Sequence, residues 1–155
     1  MLRLRPSVPA DIDLFFAWQQ DPQAVWMAAF TSANLSDRAA FELRWRRVLN
    51  DRDVTVRTVL AGGEPVGQVV RHLSDTGRQV SYWVDREHWG QGYATAALGL
   101  LLQELPERPL HARVAQDNVA SLAVLRHNGF AVVGEDQGPA AGRGEVVKEF
   151  LLTLR

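Results

Sequence analysis

With 155 residues, 46% of them hydrophobic and 23% charged, the chain has the size and composition of one globular domain with a substantial core. Lys+Arg 17 against Asp+Glu 18 leaves a net charge of -1, which argues against a nucleic-acid footprint or an anionic membrane surface as its target. The absence of cysteine rules out a disulfide framework and any thiol nucleophile.

Leu2 and Leu4 alternate with Arg3 and Arg5, the pattern of a half-exposed strand that ends at Pro6 and Pro9. From about Ala10 the residues Ile12, Phe15, Phe16 and Trp18 fall on one helical face, with Asp21-Pro22 read as the stop. Val25 to Phe30 follows as an apolar connector without a period. Ser36 reads as the N-cap of a second helix whose buried stripe is Phe41, Trp45, Val48 and Leu49. A three-strand meander is expected from Val54 to Ala61, Pro65 to Leu73 and Gln79 to Val84.

Ala94, Ala97, Leu98, Leu101, Leu102 and Leu105 then mark an apolar helix that Pro106 ends. A strand at Leu110 to Val114 and a helix from Asp117-Asn118 to Asn128 come next, with Gly129 as the residue after the helix. Strands at Phe130 to Val133 and Val146 to Leu154 should flank a mobile connection, Gly134 to Glu145, which holds four glycines and Pro139. Alternating strands and helices without an internal repeat make a mixed α/β (α+β) domain. The short apolar runs and the lack of a signal-peptide pattern lead to the expectation of a soluble cytoplasmic protein. His72, His88, His111 and His127 stand singly, so no metal site is expected.

The segment with the strongest chemical signal is Trp89-Gly90-Gln91-Gly92-Tyr93-Ala94-Thr95, a glycine loop between a strand and a helix. Glycine lets an anion approach the main chain, and the free amides and dipole of a helix N-terminus favour negative charge. A phosphate-bearing cofactor is the leading reading; a turn whose glycines serve only backbone geometry is the alternative. No Gly-Lys-Ser/Thr follows, so a Walker loop is excluded. Thr95 stands where a dinucleotide fingerprint wants its third glycine or alanine.

Trp83-Val84-Asp85 leading into Trp89 to Thr95, followed by Asn118-x-x-Ser121 and Asn128-Gly129-Phe130, resembles the GCN5-related N-acetyltransferase (GNAT) superfamily. Within it, the chain is most similar to the Rim-type ribosomal-protein branch. The likeness spans nearly the whole chain because the element order also matches. It implies the GNAT fold as one domain over residues 1–155, a mostly antiparallel sheet of about seven strands with about four helices. It also implies an acyl-CoA donor, acetyl-CoA above all, and no metal. Its diphosphate would lie on the amides of Trp89 to Thr95, and its pantetheine arm along Tyr82, Trp83 and Val84. Asn118 would help hold that arm, with Ser121 and Arg126 as further contacts. The acceptor is a protein N-terminal or small-molecule amine, with neither nucleic acid nor membrane as partner, and a homodimer is allowed.

Two departures from the family pattern affect the chemistry. Trp89 replaces a common Arg or Gln, and Leu125 stands where many members carry a tyrosine acid. Ser121, one helical turn before Leu125, is therefore the expected proton donor. No carboxylate base is evident on the central strand, which points to water as the route for the amine proton. Trp26, Met27 and Phe30 are the expected acceptor-pocket wall. The alternative function is a non-catalytic acyl-CoA-binding module, motivated by Leu125 and the missing base; a dinucleotide oxidoreductase ranks third.

Overall fold

The computed structural model describes residues 1–155. One seven-stranded sheet organises the chain: β1 (Leu2–Pro6), β2 (Thr55–Ala61), β3 (Glu64–Ser74), β4 (Gly77–Val84), β5 (Leu110–Ala115), β6 (Ala131–Ala140) and β7 (Glu145–Leu154). The strand order is β1-β2-β3-β4-β5-β7-β6. All neighbours pair antiparallel except β4 and β5, which run parallel and share the single register pair Gln79 with His111. Beyond Gln79 the two strands diverge. The edge of β4 from Val80 to Val84 that faces β5 is thereby left without a ladder partner.

Five helices cover the sheet: α1 (Ile12–Trp18), α2 (Pro22–Ala28), α3 (Arg38–Asn50), α4 (Tyr93–Glu104) and α5 (Val119–His127). Strand alternation sends Val59, Val69 and Val80 to one face, Val66 joins them at the β2–β3 bulge, and all pack with Ala97, Leu98 and Leu101 of α4 and Leu125 of α5. Val56 and Val70 point to the other face, against Ile12, Phe15 and Trp18 of α1 and Phe41 and Trp45 of α3. Helices thus bury both faces of the sheet. Asp11 ties the second layer to the edge strand. It is 3% exposed, pairs with Arg5 at 2.7 Å and accepts the Val8 amide at 2.9 Å. Burial pushes its carboxyl up, but the Arg5 side chain and the Val8 and Thr58 hydrogen bonds outweigh that and hold it below the usual range.

Four sequence expectations change. Asp21-Pro22 begins a helix instead of ending one: the Asp21 carboxylate accepts from the Gln23 and Ala24 amides, and Pro22 occupies the first helical position. Residues Val25 to Ala28, expected as a connector, are therefore helical. Seven residues are too few to show a period, and only Ala24 of them is buried. Asp37, not Ser36, caps α3 through the Ala40 amide.

The expected mobile connection Gly134 to Glu145 is mostly strand. β6 and β7 pair through Ala140 with Glu145, leaving a short turn. Its glycine and proline content misleads for physical reasons. The register shifts between Val132 and Gly134, a bulge that suits glycine, and Pro139 lies on the outermost strand of the sheet, where proline is tolerated. The turn is anchored as well. The Gly142 amide donates to the Ala29 carbonyl at 2.8 Å, and a Cβ on Gly142 would stand 2.4 Å from the Val25 carbonyl oxygen.

Candidate active site

The glycine loop is positioned by the end of β4. The Asp85 amide donates to the Val66 carbonyl, the chain makes one tight turn at Arg86–His88, and the Trp89 indole Nε1 donates back to the Val84 carbonyl at 2.9 Å. Trp89 thus braces the loop against the strand it leaves. Gly90 and Gly92 take φ of 78° and 75°, left-handed values that glycine adopts without strain. Ala96 is the first residue to bond backward into the helix, from its amide to the Gly92 carbonyl at 3.1 Å. The amides from Gly90 to Thr95 consequently have no main-chain acceptor, and they cluster at the positive end of the α4 dipole.

A cavity of about 540 Å³ opens over this loop. It is lined by Tyr82, Trp83 and Val84 on one side, Trp89, Gly90, Gly92, Tyr93, Ala94 and Thr95 beneath, and Asn118 and Ser121 on the other. No Lys or Arg lines it, so the main-chain dipoles are the chief positive feature a bound anion would meet. The unpaired edge of β4 supplies the straight wall an extended ligand would follow. Free amides, open glycines and a strand edge together fit a diphosphate carrying a long pantetheine arm. No group of His, Asp or Glu side chains converges as a metal site.

A second, larger cavity of about 760 Å³ lies beyond the end of the first. Ala28, Tyr82, Trp83, Asn118 and Ser121 line both. At this junction the Tyr82 hydroxyl lies 2.6 Å from Ser121 Oγ and donates to the Ser121 carbonyl at 3.1 Å. Burial pushes the Tyr82 phenol up to about 12, with the Ser121 hydrogen bond pulling weakly the other way. It therefore stays protonated at neutral pH. Asn118 caps α5 by accepting the Ser121 amide at 3.2 Å and donates to the Met27 carbonyl at 3.3 Å, which links α5 to α2 across the junction.

The expected residues divide into three groups. Tyr82, Trp83, Val84, Trp89 to Thr95, Asn118 and Ser121 come together, with Gln91 exposed between the two glycines. Met27 lines the loop cavity and Phe30 the larger one, so they face different spaces. Arg126 and Trp26 line neither. Arg126 sits on the exposed face of α5, and Trp26 is half exposed outside the cleft, its ring stacked under Arg143 with the guanidinium 3.9 Å from its centroid. Trp26, expected in the pocket wall, is on a helix and faces the β6–β7 turn.

Other residues of the larger cavity escaped the sequence reading. Tyr82 was expected to act only through its main chain, yet its hydroxyl is the acidic group nearest Ser121. Glu149, 6% exposed, is a carboxylate in the cleft, paired with Arg113 at 2.8 Å. Its signal was a charge at the inward phase of a strand, in step with Val147. His72 follows Gln68 and Val70 on one face of β3, and burial lowers its pKa below the usual imidazole value, so it is neutral at pH 7.

Residues 1–131 match the family model described as acetyltransferase (GNAT) domain. No curated protein sequence matches significantly. Among solved structures, a ribosomal-protein-alanine N-acetyltransferase from Brucella melitensis superposes with a TM-score of 0.81 at 22% identity, covering 98% of both chains. A spermidine N-acetyltransferase from Vibrio cholerae, in complex with CoA and spermine, gives 0.82 at 15% identity, covering 99% of this chain and 94% of that one. The microcin C7 self-immunity acetyltransferase MccE, in complex with acetyl-CoA and AMP, gives 0.81 at 15% identity, covering 99% and 91%. The loop geometry, the split sheet and the family match lead to one conclusion: the chain belongs to the GNAT acetyltransferase family.

Proposed function

We propose that the chain, as a single domain over residues 1–155, transfers an acetyl group from acetyl-CoA directly to a primary amine, in the manner of the Rim-type enzymes it resembles. The observation that carries this reading is the junction of two cavities at Tyr82 and Ser121. One cavity suits a diphosphate and an extended arm. The other has room for an acceptor, and a reacting pair would meet where they join. The cytoplasm, which supplies acetyl-CoA, is the expected compartment. Sizing in solution tests the homodimer that the family resemblance allows.

Acetyl-CoA supplies an acyl group already activated as a thioester. In the transfer a C–N bond forms, the C–S bond breaks, the amine gives up one proton and the sulfur takes one. Amides Gly90 to Thr95 hold the diphosphate, and the β4 edge aligns the arm by main-chain hydrogen bonds. Neutral His72 and the Glu149 carboxylate are the groups in the acceptor cavity able to take the amine proton, through water.

Ser121 acts at the leaving sulfur as hydrogen-bond donor, and Tyr82 backs it by donating its one hydroxyl proton to Ser121. Full proton transfer from a phenol at about 12 to a thiolate of about 8.5 is uphill by about 5 kcal/mol, so stabilising the departing charge is the part they can perform. Leu125 is buried at 1% exposure and serves the core. The tyrosine missing from its position is replaced, in effect, by one from β4.

The test combines calorimetry with acetyl-CoA and release of free thiol over a panel of amines and peptides with free N-termini. Saturable binding with amine-dependent thiol release is the expected result. Binding without release from any acceptor would instead favour a non-catalytic acyl-CoA-binding module, and no binding would overturn both.

A further inference from the structure

The larger cavity contains a cation that nothing in the fold neutralises. Arg44 lies on α3 between Phe41 and Trp45, and its guanidinium sits over the Phe41 ring, 5.2 Å from the centroid, while donating to the Ser32 hydroxyl. The ring and the hydroxyl fix its position and leave further N–H donors unused. Its neighbours Arg38 and Arg46 both reach Glu42, whereas Arg44 has no carboxylate partner. Burial lowers its pKa with no charge pair working the other way.

The other charged or titratable side chains of the cavity are accounted for. Arg113 is compensated by Glu149 at 2.8 Å and Asp136 at 3.5 Å, and His72 and Tyr82 are neutral at pH 7. The same walls hold buried polar atoms without partners: Thr31 Oγ1, Gln68 Oε1, Trp45 Nε1 and Trp83 Nε1. Gln68 is only 3% exposed, and a buried carbonyl oxygen left unpaired is costly unless a ligand donates to it. The helix wall presents the Arg44 and Trp45 donors, and the sheet wall opposite presents Gln68 with Trp83 beside it on the neighbouring strand.

Resting on the acetyltransferase reading, we propose that this cavity is built for an amine that also carries a carboxylate, with Arg44 as the anion subsite and Gln68 as an acceptor for N–H groups. A free amino acid, or a peptide whose free N-terminus is followed by an acidic residue, has that chemistry. A polyamine does not, because its second cation would meet an uncompensated guanidinium in a half-buried site. Arg44 sets specificity and does not take part in bond making.

The experiment uses matched acceptors: L-amino acids against their carboxamides, Met-Asp peptides against Met-Asn peptides, and spermidine. Wild type should favour each carboxylate member. Arg44→Gln should raise KM for that member roughly ten- to a hundredfold, the worth of one charge-assisted hydrogen bond, with kcat and the amide member little changed. Arg44→Lys should keep part of the preference. The two peptide and amino-acid arms show which source of carboxylate fits.

Binding of the N-acetyl amino acid and of its amide to the CoA-loaded protein is measured in parallel, since it does not require turnover. Carboxylate-selective binding lost in Arg44→Gln, with no turnover, supports the subsite and defeats the acetyltransferase reading. Turnover without carboxylate preference, or with spermidine favoured, does the reverse. Absence of any carboxylate-selective binding or turnover overturns the subsite, and so does an equal loss for both members in Arg44→Gln.

Discussion

The two cavities that meet at Tyr82 and Ser121 are made of different materials. The loop side binds through main chain: consecutive amides, two glycines and one strand edge, all within residues 82–95, with α2 and α5 as flanking walls. The acceptor side is side chains, drawn from the segment after α2, from α3, β3 and β4, and from β5, α5 and β7. Main-chain donors depend on backbone path, so almost any sequence that preserves the path preserves the site. Side-chain sites change with each substitution. A family can therefore keep one donor site while its acceptor sites diverge.

The sharpest way to break this contrast is Gly92→Asp. A Cβ there meets no atom within 4 Å, and aspartate tolerates left-handed φ better than most residues, so the fold should survive. The new carboxylate would face the diphosphate at a helix N-terminus. CoA affinity should fall by about a hundredfold or more by calorimetry, with the circular dichroism spectrum retained. Intact affinity would mean that the amides are not the anchor.

The junction gives the next largest effect. Tyr82→Phe and Ser121→Ala should each lower kcat by about ten- to a hundredfold while leaving the Kd for CoA within about twofold. The hydroxyls are 2.6 Å apart and act as a pair, so the double variant should fall short of the product of the singles. An additive pair would separate their roles, and unchanged turnover in Ser121→Ala would remove the serine from the reaction.

The same contrast explains what could be read from sequence. The glycine loop was legible because its function lies in contiguous residues whose types are dictated by backbone need, and α4 and the meander followed from clean periods. Glu149, His72, Arg44 and Gln68 were not, because each becomes functional only when the sheet brings distant strands and helices together. The Glu149 signal exists at the inward phase of β7, but a buried charge in a strand reads equally as an edge. α2 was missed for a different reason, since seven residues give less than two full turns of pattern. β6 was cut short at Val133 because glycine and proline are punctuation in most strands, and an outermost, bulged strand is where that rule weakens.

On the acceptor side, His72 gives a pH-dependent prediction. Its folded pKa lies below the usual imidazole value, so between the two values the unfolded chain binds a proton that the native chain does not. Stability should therefore be unaffected by His72 above about pH 6.5 and decline as pH drops below it. His72→Gln should flatten that part of the curve in denaturant melts taken from pH 7.5 to 5.5. CoA affinity should not follow the change, because His72 lines only the acceptor cavity.

The smallest effect concerns the β6–β7 turn, which braces α2 and Asp117 beside the loop cavity. Arg143 binds Asp117 through two nitrogens, donates to the Trp26 carbonyl at 2.7 Å and covers the Trp26 ring. It joins the hairpin to the end of α2 and the start of α5, next to Asn118. Asp117 is more than half exposed, so the ion pair itself is worth little, and the stacking and carbonyl contact carry most of the benefit. Arg143→Ala should cost about 1 kcal/mol in urea melts. Its functional trace should be a few-fold loss of CoA affinity with acceptor KM and kcat little changed, since Asp117 and the α2 residues Ala24 and Met27 line the loop cavity and not the larger one. A matching rise in acceptor KM would mean that the two halves are mechanically coupled through Asn118, which lines both cavities.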